Sequence, residues 1–163
     1  MFNERKKMFD VGIFGSFYGK HFSELCSIRD FLRENGYDNA KISCDIEEEY
    51  PQRKRESVSK YNKRISKLLV KTSHFHIFVF FAEEDDEHYI NNSALCEITA
   101  AEYLDKEYVI IFIDNRAKGK LGAWFEGVPE DNQKRWKIGH FTKVEEVYFP
   151  ALYFCKKCLN SMP

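Results

Sequence analysis

Long apolar runs and an excess of either charge are both missing from this 163-residue sequence. The longest apolar stretches, Phe75 to Ala82 and Tyr108 to Ile113, are of strand length and cannot cross a bilayer. Lys and Arg number 25 against 26 Asp and Glu, a formal net charge of −1, so the whole-molecule basic footprint of a nucleic-acid binder is absent. The opening MFNERKKMFDVGIFG carries an apolar run interrupted by Asp10 and Gly12, which does not fit a signal peptide, and a cytoplasmic protein is expected. The five cysteines are odd in number and scattered through a chain large enough to stabilise itself by burial. Reduced thiols are therefore expected rather than a disulfide framework. Repeats, low-complexity segments and linkers are also lacking, so residues 1–163 read as one domain.

What is present is a folding composition, 44% hydrophobic and 16% aromatic, far from the regime of disordered chains. Four apolar runs, Phe9 to Phe14, Ala40 to Cys44, Phe75 to Ala82 and Tyr108 to Ile113, alternate with stretches of helical spacing. HIFVFFA and YVIIFI are apolar without alternation, as in parallel strands covered on both faces. A first helix is predicted over His21 to Asn35, with Phe22, Leu25, Ile28 and Leu32 inward and Gly36 ending it. A second begins near Pro51 with the stripe Val58, Tyr61, Ile65, Leu68, and a third covers Ser93 to Asp105. A last helix opens at Thr142 and Glu145 and carries Val144, Val147, Ala151, Cys155 and Cys158, with Pro150 placed to kink or divide it. Between Asn115 and Phe141 the pattern is weak, with Trp136 to Phe141 a candidate fifth strand. The expected fold is an α/β three-layer sandwich with a mostly parallel five-stranded sheet in the flavodoxin-like order 2-1-3-4-5.

In such a sheet ligands bind beyond the carboxyl ends of the strands where the winding reverses, here between the first and third strands. Two loops converge there, Gly15 to Lys20 and Glu83 to Ser93, the second leading into the third helix. On that helix Cys96, Ala100, Leu104, Ala101 and Ala94 fill a continuous sector, and Glu97 falls near its middle. A carboxyl so placed is partly desolvated and close to helix N-terminal amides, influences that push its pKa in opposite directions. The alternative is an acidic residue of the kind favoured near any helix N-terminus.

The segment NSALCEITAAEYLDKEYVIIFID resembles the nucleoside 2-deoxyribosyltransferases, in which a helix after the third strand carries a nucleophilic Glu in a motif close to D-x-G-T-x-x-E-x-G-x-A. Glu97 matches the Glu and Ala101 the closing Ala, while Ala94 and Leu95 or their neighbours replace the Gly-Thr pair. GSFYG stands where the family has a Gly-Pro-aromatic element, so Phe17 or Tyr18 takes the place of the aromatic that shapes the nucleobase pocket. TIR domains share the strand order and in some members use a Glu on this helix to cleave NAD; the adjacency of Cys96 and Glu97 departs from their spacing. The resemblance implies cleavage or transfer at an N-glycosidic bond of a nucleoside or nucleotide. It also implies a homo-oligomer whose subunits complete each other's sites.

That chemistry needs a carboxylate beneath the sugar and a pocket that grips the leaving base. Glu97 is the candidate catalytic residue. Candidate binding residues are Gly15, Ser16, Phe17, Tyr18 and Lys20 in the first loop and Asp85, Asp86, Asn91, Asn92 and Ser93 in the second. An aromatic would stack on the base, the acids and amides would bind sugar hydroxyls or protonate the leaving group, and Ser16 and Lys20 could approach a phosphate. For any single loop acid, a solvated turn is the plainer explanation. No cofactor and no metal is expected.

Other signals point less far. Gly15, Gly19 and Lys20 fall one residue short of a phosphate-binding loop, with His21 where Ser or Thr should stand. Gly12, Gly15 and Gly19 miss the dinucleotide-binding spacing. Cys155 and Cys158 lack a second ligand pair and lie on an apolar stripe, and His76 reads as a packed core histidine. The second helix carries Arg53, Lys54, Arg55, Lys60, Lys63, Arg64, Lys67 and Lys71 directly after the acidic triplet Glu47 to Glu49, for which a solvated face is the plainer explanation. It also supports the rival class, a noncatalytic TIR-like interaction or nucleic-acid-binding module. A small-molecule nucleoside or nucleotide is the expected partner, with nucleic acid second and a membrane excluded.

Overall fold

The computed structural model describes residues 8–16, 20–81, 92–113 and 135–162, without the side chains at 92, 95, 112 and 135–140. Strands β1 (Val11–Gly15), β2 (Ala40–Lys41), β3 (Phe75–Phe81), β4 (Glu107–Ile113) and β5 (Arg135–Phe141) run parallel in the order β2-β1-β3-β4-β5. Helices α1 (Lys20–Glu34), α2 (Val58–Thr72), α3 (Asn92–Tyr103) and α4 (Tyr148–Ser161) accompany them.

Every residue of β3 is buried, which a strand achieves only with layers on both of its faces. Successive side chains accordingly enter two separate cores. Phe75, Ile77, Val79 and Phe81 join Val11 and Ile13 of β1 under Leu25, Ile28 and Leu32 of α1 and Ala151 and Cys155 of α4. Phe78 and Phe80 join Phe14, Tyr108 and Ile110 under Ile65 and Leu69 of α2 and Ala94, Ile98 and Ala101 of α3. The result is an α/β fold built on a parallel sheet. No helix among the described residues is long and apolar enough to cross a membrane.

The helices sit close to their predicted places but turn about their axes in ways that matter for the site. α1 buries His21, Leu25, Ile28 and Leu32, whereas Phe22 is 41% exposed. It closes as expected at Gly36, whose φ of 94° lets the amides of Gly36 and Tyr37 bond the carbonyls of Arg33 and Leu32. α2 starts seven residues later than Pro51 because Ser57 caps it, accepting the Lys60 amide at 3.3 Å. The intervening connector is tied by Glu56, which accepts both the Arg53 amide and the Arg64 guanidinium. These bonds hold the Glu56 carboxyl down at about 2. Val58 consequently lies outside the buried stripe, which is Ile65, Leu69 and Val70. Pro150 neither kinks nor divides α4: it lies in the first turn, where the missing N–H has no partner to lose. Thr142 bonds Glu146 rather than Glu145.

His76 is a core residue. Its ring is fully buried between Phe14 and Phe78, with Nε2 2.9 Å from the Val70 carbonyl and Nδ1 3.2 Å from that of Glu107. Burial drives its pKa down to about 4, so the ring is neutral at pH 7. The cysteines are free, with Cys155 and Cys158 buried on α4 as apolar filler. Burial pushes both of these thiols up.

Candidate active site

β1 and β3 are neighbours, with Gly15 opposite Val79, and the helices that follow them leave on opposite sides of the sheet. This is the point where winding reverses, the place at which open α/β sheets generally bind their ligands. Gly15 ends β1, Ser16 follows it, and Lys20 opens α1 as an exposed residue. Gly15 has a packing reason to be glycine. A Cβ there would meet Leu25 Cδ2 and the Val79 carbonyl oxygen, each at 2.9 Å, so its absence lets α1 settle on the end of the sheet.

Ser93 is exposed in the first turn of α3. Asn92 begins that helix, but its side chain lies outside the described residues, as do Phe17, Tyr18, Asp85, Asp86 and Asn91 altogether.

Glu97 stands in the second turn of α3. The buried face of this helix is Ala94, Ile98 and Ala101, not the predicted sector, because Cys96 is exposed and Leu104 is 43% exposed. At about 100° per residue Glu97 therefore lies beside the buried face rather than within its middle. The side chain is partly buried, and Ser66 of α2 donates its hydroxyl to Glu97 Oε1. The surroundings raise the Glu97 pKa from 4.5 to about 7 through desolvation, and the Ser66 hydrogen bond draws it part of the way back. Of the two glutamates on this helix, Glu102 is differently placed, accepting the Tyr108 hydroxyl at 2.8 Å.

The structure thus brings Glu97 together with a residue that the sequence reading overlooked. Ser66 interrupts the lysine-rich surface of α2 with a small hydroxyl next to Ile65, a signal visible only once the facing helix is known. His21 was overlooked for another reason: the set His21, Leu25, Ile28, Leu32 is as helical in spacing as one beginning at Phe22, but it starts with a polar residue. Its ring stacks on Phe81, the last residue of β3, with centroids 4.2 Å apart. Nδ1 lies 3.7 Å from Glu24 Oε2. Among the described residues no group of three or more His, Cys, Asp or Glu side chains is arranged to hold a metal ion.

Neither a protein-family model nor a curated protein matches the chain. Among solved structures, the chain is similar in fold to the CMP N-glycosidase BcmB of Clostridium botulinum, with a TM-score of 0.58 and 13% sequence identity. The superposition covers 86% of this chain and 95% of the glycosidase. At that identity the likeness establishes a shared α/β architecture, one on which nucleotide N-glycosidic bond cleavage is carried out in the solved neighbour.

Proposed function

We propose that this protein breaks the N-glycosidic bond of a nucleotide, with Glu97 as the carboxylate beneath the sugar. The observation that carries the reading is the state of Glu97. It is a carboxyl desolvated at the second turn of the helix that follows the central strand, and its partner is a neutral hydroxyl rather than a cation. The likeness in fold to a CMP N-glycosidase supports trying a pyrimidine mononucleotide first.

In the reaction Glu97 Oε attacks C1′ as the C1′–N bond breaks and its electron pair leaves with the base. Water then hydrolyses the glycosyl ester to a free sugar phosphate, or an acceptor base takes the sugar instead. Asp85, Asp86, Asn91, Asn92 and Ser93 are proposed to hold the sugar or protonate the departing base. Phe17 or Tyr18 would stack on that base, and Gly15, Ser16 and Lys20 would border the phosphate. Oligomerisation belongs to the same reading, supported by Phe149 at 73% and Tyr153 at 62% exposure one turn apart on α4. Sedimentation of a strictly monomeric species at micromolar concentration would remove it.

The test is incubation with CMP, dCMP, cytidine and NAD followed by chromatography for released base. Glu97→Ala should abolish release and Glu102→Ala should retain it. If Glu97 is the nucleophile, kcat/KM rises with pH through about 7 as the carboxyl ionises; a fall over that range would make it a general acid instead. Equal release by Glu97→Ala, or no release from any of these compounds, defeats the proposal.

A second reading attaches to α2. Lys60, Lys63, Lys67 and Lys71 are all exposed at spacings of three, four and four, so they form one stripe along the outer side of the helix. As a noncatalytic module the protein would hold a nucleic acid on this stripe. Binding should then weaken steeply with salt and be lost in Lys63→Glu/Lys67→Glu, with no change at Glu97 on ligand addition.

A further inference from the structure

We infer that Ser66, on the helix facing α3, is a positioning residue that aims the Glu97 carboxyl and favours its ionised, nucleophilic form. The inference rests on the glycosidic reaction proposed above and names a second helix as part of its machinery.

The first argument is what hydroxyls in these helices otherwise do. A Ser or Thr within a helix can bond back to a carbonyl three or four residues earlier on its own helix. Ser23 bonds Lys20 O at 2.8 Å and Ser27 bonds Glu24 O at 2.7 Å. Thr72 bonds Leu68 O at 2.8 Å. Ser66 instead directs its hydroxyl across the helix interface to Glu97, a residue 31 positions away.

The second argument is the choice of donor. Lys63 and Lys67 flank Ser66 on α2, and both are exposed. A lysine in the place of Ser66 would pin α3 to α2 by an ion pair and neutralise the carboxylate. A hydroxyl fixes the same oxygen in space without cancelling its charge, leaving Oε2 with electron density to offer a carbon centre.

The groups around the pair leave that role to the hydroxyl. On α3 Glu102 is engaged by Tyr108 of β4. Beneath, β3 and β4 contribute Phe78, Phe80 and Ile110, and His76 is turned to the Val70 carbonyl. Among the described residues only burial and Ser66 shift Glu97.

The test is a carbon-detected titration of the side-chain carboxyls of the full-length chain, with Glu97 assigned through Glu97→Gln, alongside base release from CMP as a function of pH. Ser66→Ala should move the Glu97 midpoint up by roughly one pH unit, the worth of one hydrogen bond to a charged group. The acidic limb of kcat/KM should move with it, a loss of roughly tenfold at pH 6 that fades by pH 9. Ser66→Thr, which keeps the hydroxyl, should restore both. An unmoved midpoint in a folded Ser66→Ala overturns the inference. So does a uniform loss of rate at every pH that Ser66→Thr fails to rescue. If the wild-type chain releases no base at all, the reaction reading fails by itself, and the titration still decides whether Ser66 governs Glu97.

Discussion

Replacing Glu97 by Gln should make this protein more stable at pH 8 and leave it unchanged at pH 4.5. In the folded chain the Glu97 carboxyl keeps its proton up to about pH 7, whereas the ordinary value of 4.5 applies once the chain unfolds. Between those values the folded state binds more protons, so stability falls as pH rises. At about 1.4 kcal/mol per pH unit, the ionised form is penalised by at most about 3.5 kcal/mol above pH 7, less for the solvent that reaches a partly buried side chain. Glutamine keeps a carbonyl oxygen to accept the Ser66 hydroxyl and carries no charge to desolvate. The advantage of the variant should therefore grow through the interval from pH 4.5 to 7 and stay constant beyond it. For a chain of this length a gain of 2–3 kcal/mol corresponds to a rise of roughly 4–12 °C in Tm. Thermal melts of both proteins at pH 4.5, 6, 7 and 8 read this as a difference, from which titrations common to both cancel. A difference that is flat across the range, or a variant less stable at pH 8, would show that the carboxyl is solvated and would remove the basis for giving it a chemical role.

His76 should oppose this trend in the wild-type protein. Its folded pKa of about 4 lies below the ordinary 6.5, so its contribution is complete above pH 6.5 and is lost as pH falls toward 4, a window that urea melts of Glu97→Gln should show without the opposing slope. His76→Phe keeps the stacking volume between Phe14 and Phe78 but removes the donor near the Val70 carbonyl, and should cost about 1–3 kcal/mol; unchanged stability would mean that this carbonyl finds water. Gly15→Ala should destabilise by about 1–3 kcal/mol, since the new methyl meets a backbone oxygen as well as Leu25, and a neutral result in urea unfolding would show that α1 can back away.

The parallel sheet was legible because β3 and β4 are apolar without interruption, and only strands covered on both faces tolerate that. What the sequence could not fix was rotation about the helix axes. In α1 the choice between His21 and Phe22 as the first inward residue turns on a stack with Phe81, a partner some 60 residues away in the chain. In α3 the small residues Ala94, Ala100 and Ala101 spread over too wide an arc to define one face. Glu97 is partly desolvated as expected, but it lies beside the buried face of Ala94, Ile98 and Ala101 rather than in the middle of an apolar sector. The start of α2 was misplaced because Pro51 is a good first residue for a helix, whereas Ser57 satisfies a free amide and Glu56 anchors the connector to Arg64. Glu97 itself could be singled out from the apolar residues around it on α3 and from the resemblance of its segment to a Glu-bearing motif. Ser66 could not, because its meaning lies in a contact between two helices.

The carboxyls of this protein divide by what surrounds them. Glu56 takes the Arg64 guanidinium and a backbone amide, Asp45 takes Arg29 at 2.8 Å and the Ile42 amide, and Glu146 takes the amide and hydroxyl of Thr142. Each secures a connector or a helix start, and the pKa values of Glu56 and Glu146 are lowered by those bonds. Glu97 is opposite in direction and in cause: its surroundings raise it, and the group that restrains it is a neutral hydroxyl on another helix. A carboxyl that served only to join α2 to α3 would be better matched by a lysine, two of which already flank Ser66. Burial destabilises the ionised state at neutral pH, and the Ser66 hydroxyl offsets that cost only in part, without cancelling the charge. Under the proposed glycosidic reaction, such a conflict between stability and local chemistry is what a working carboxylate would carry.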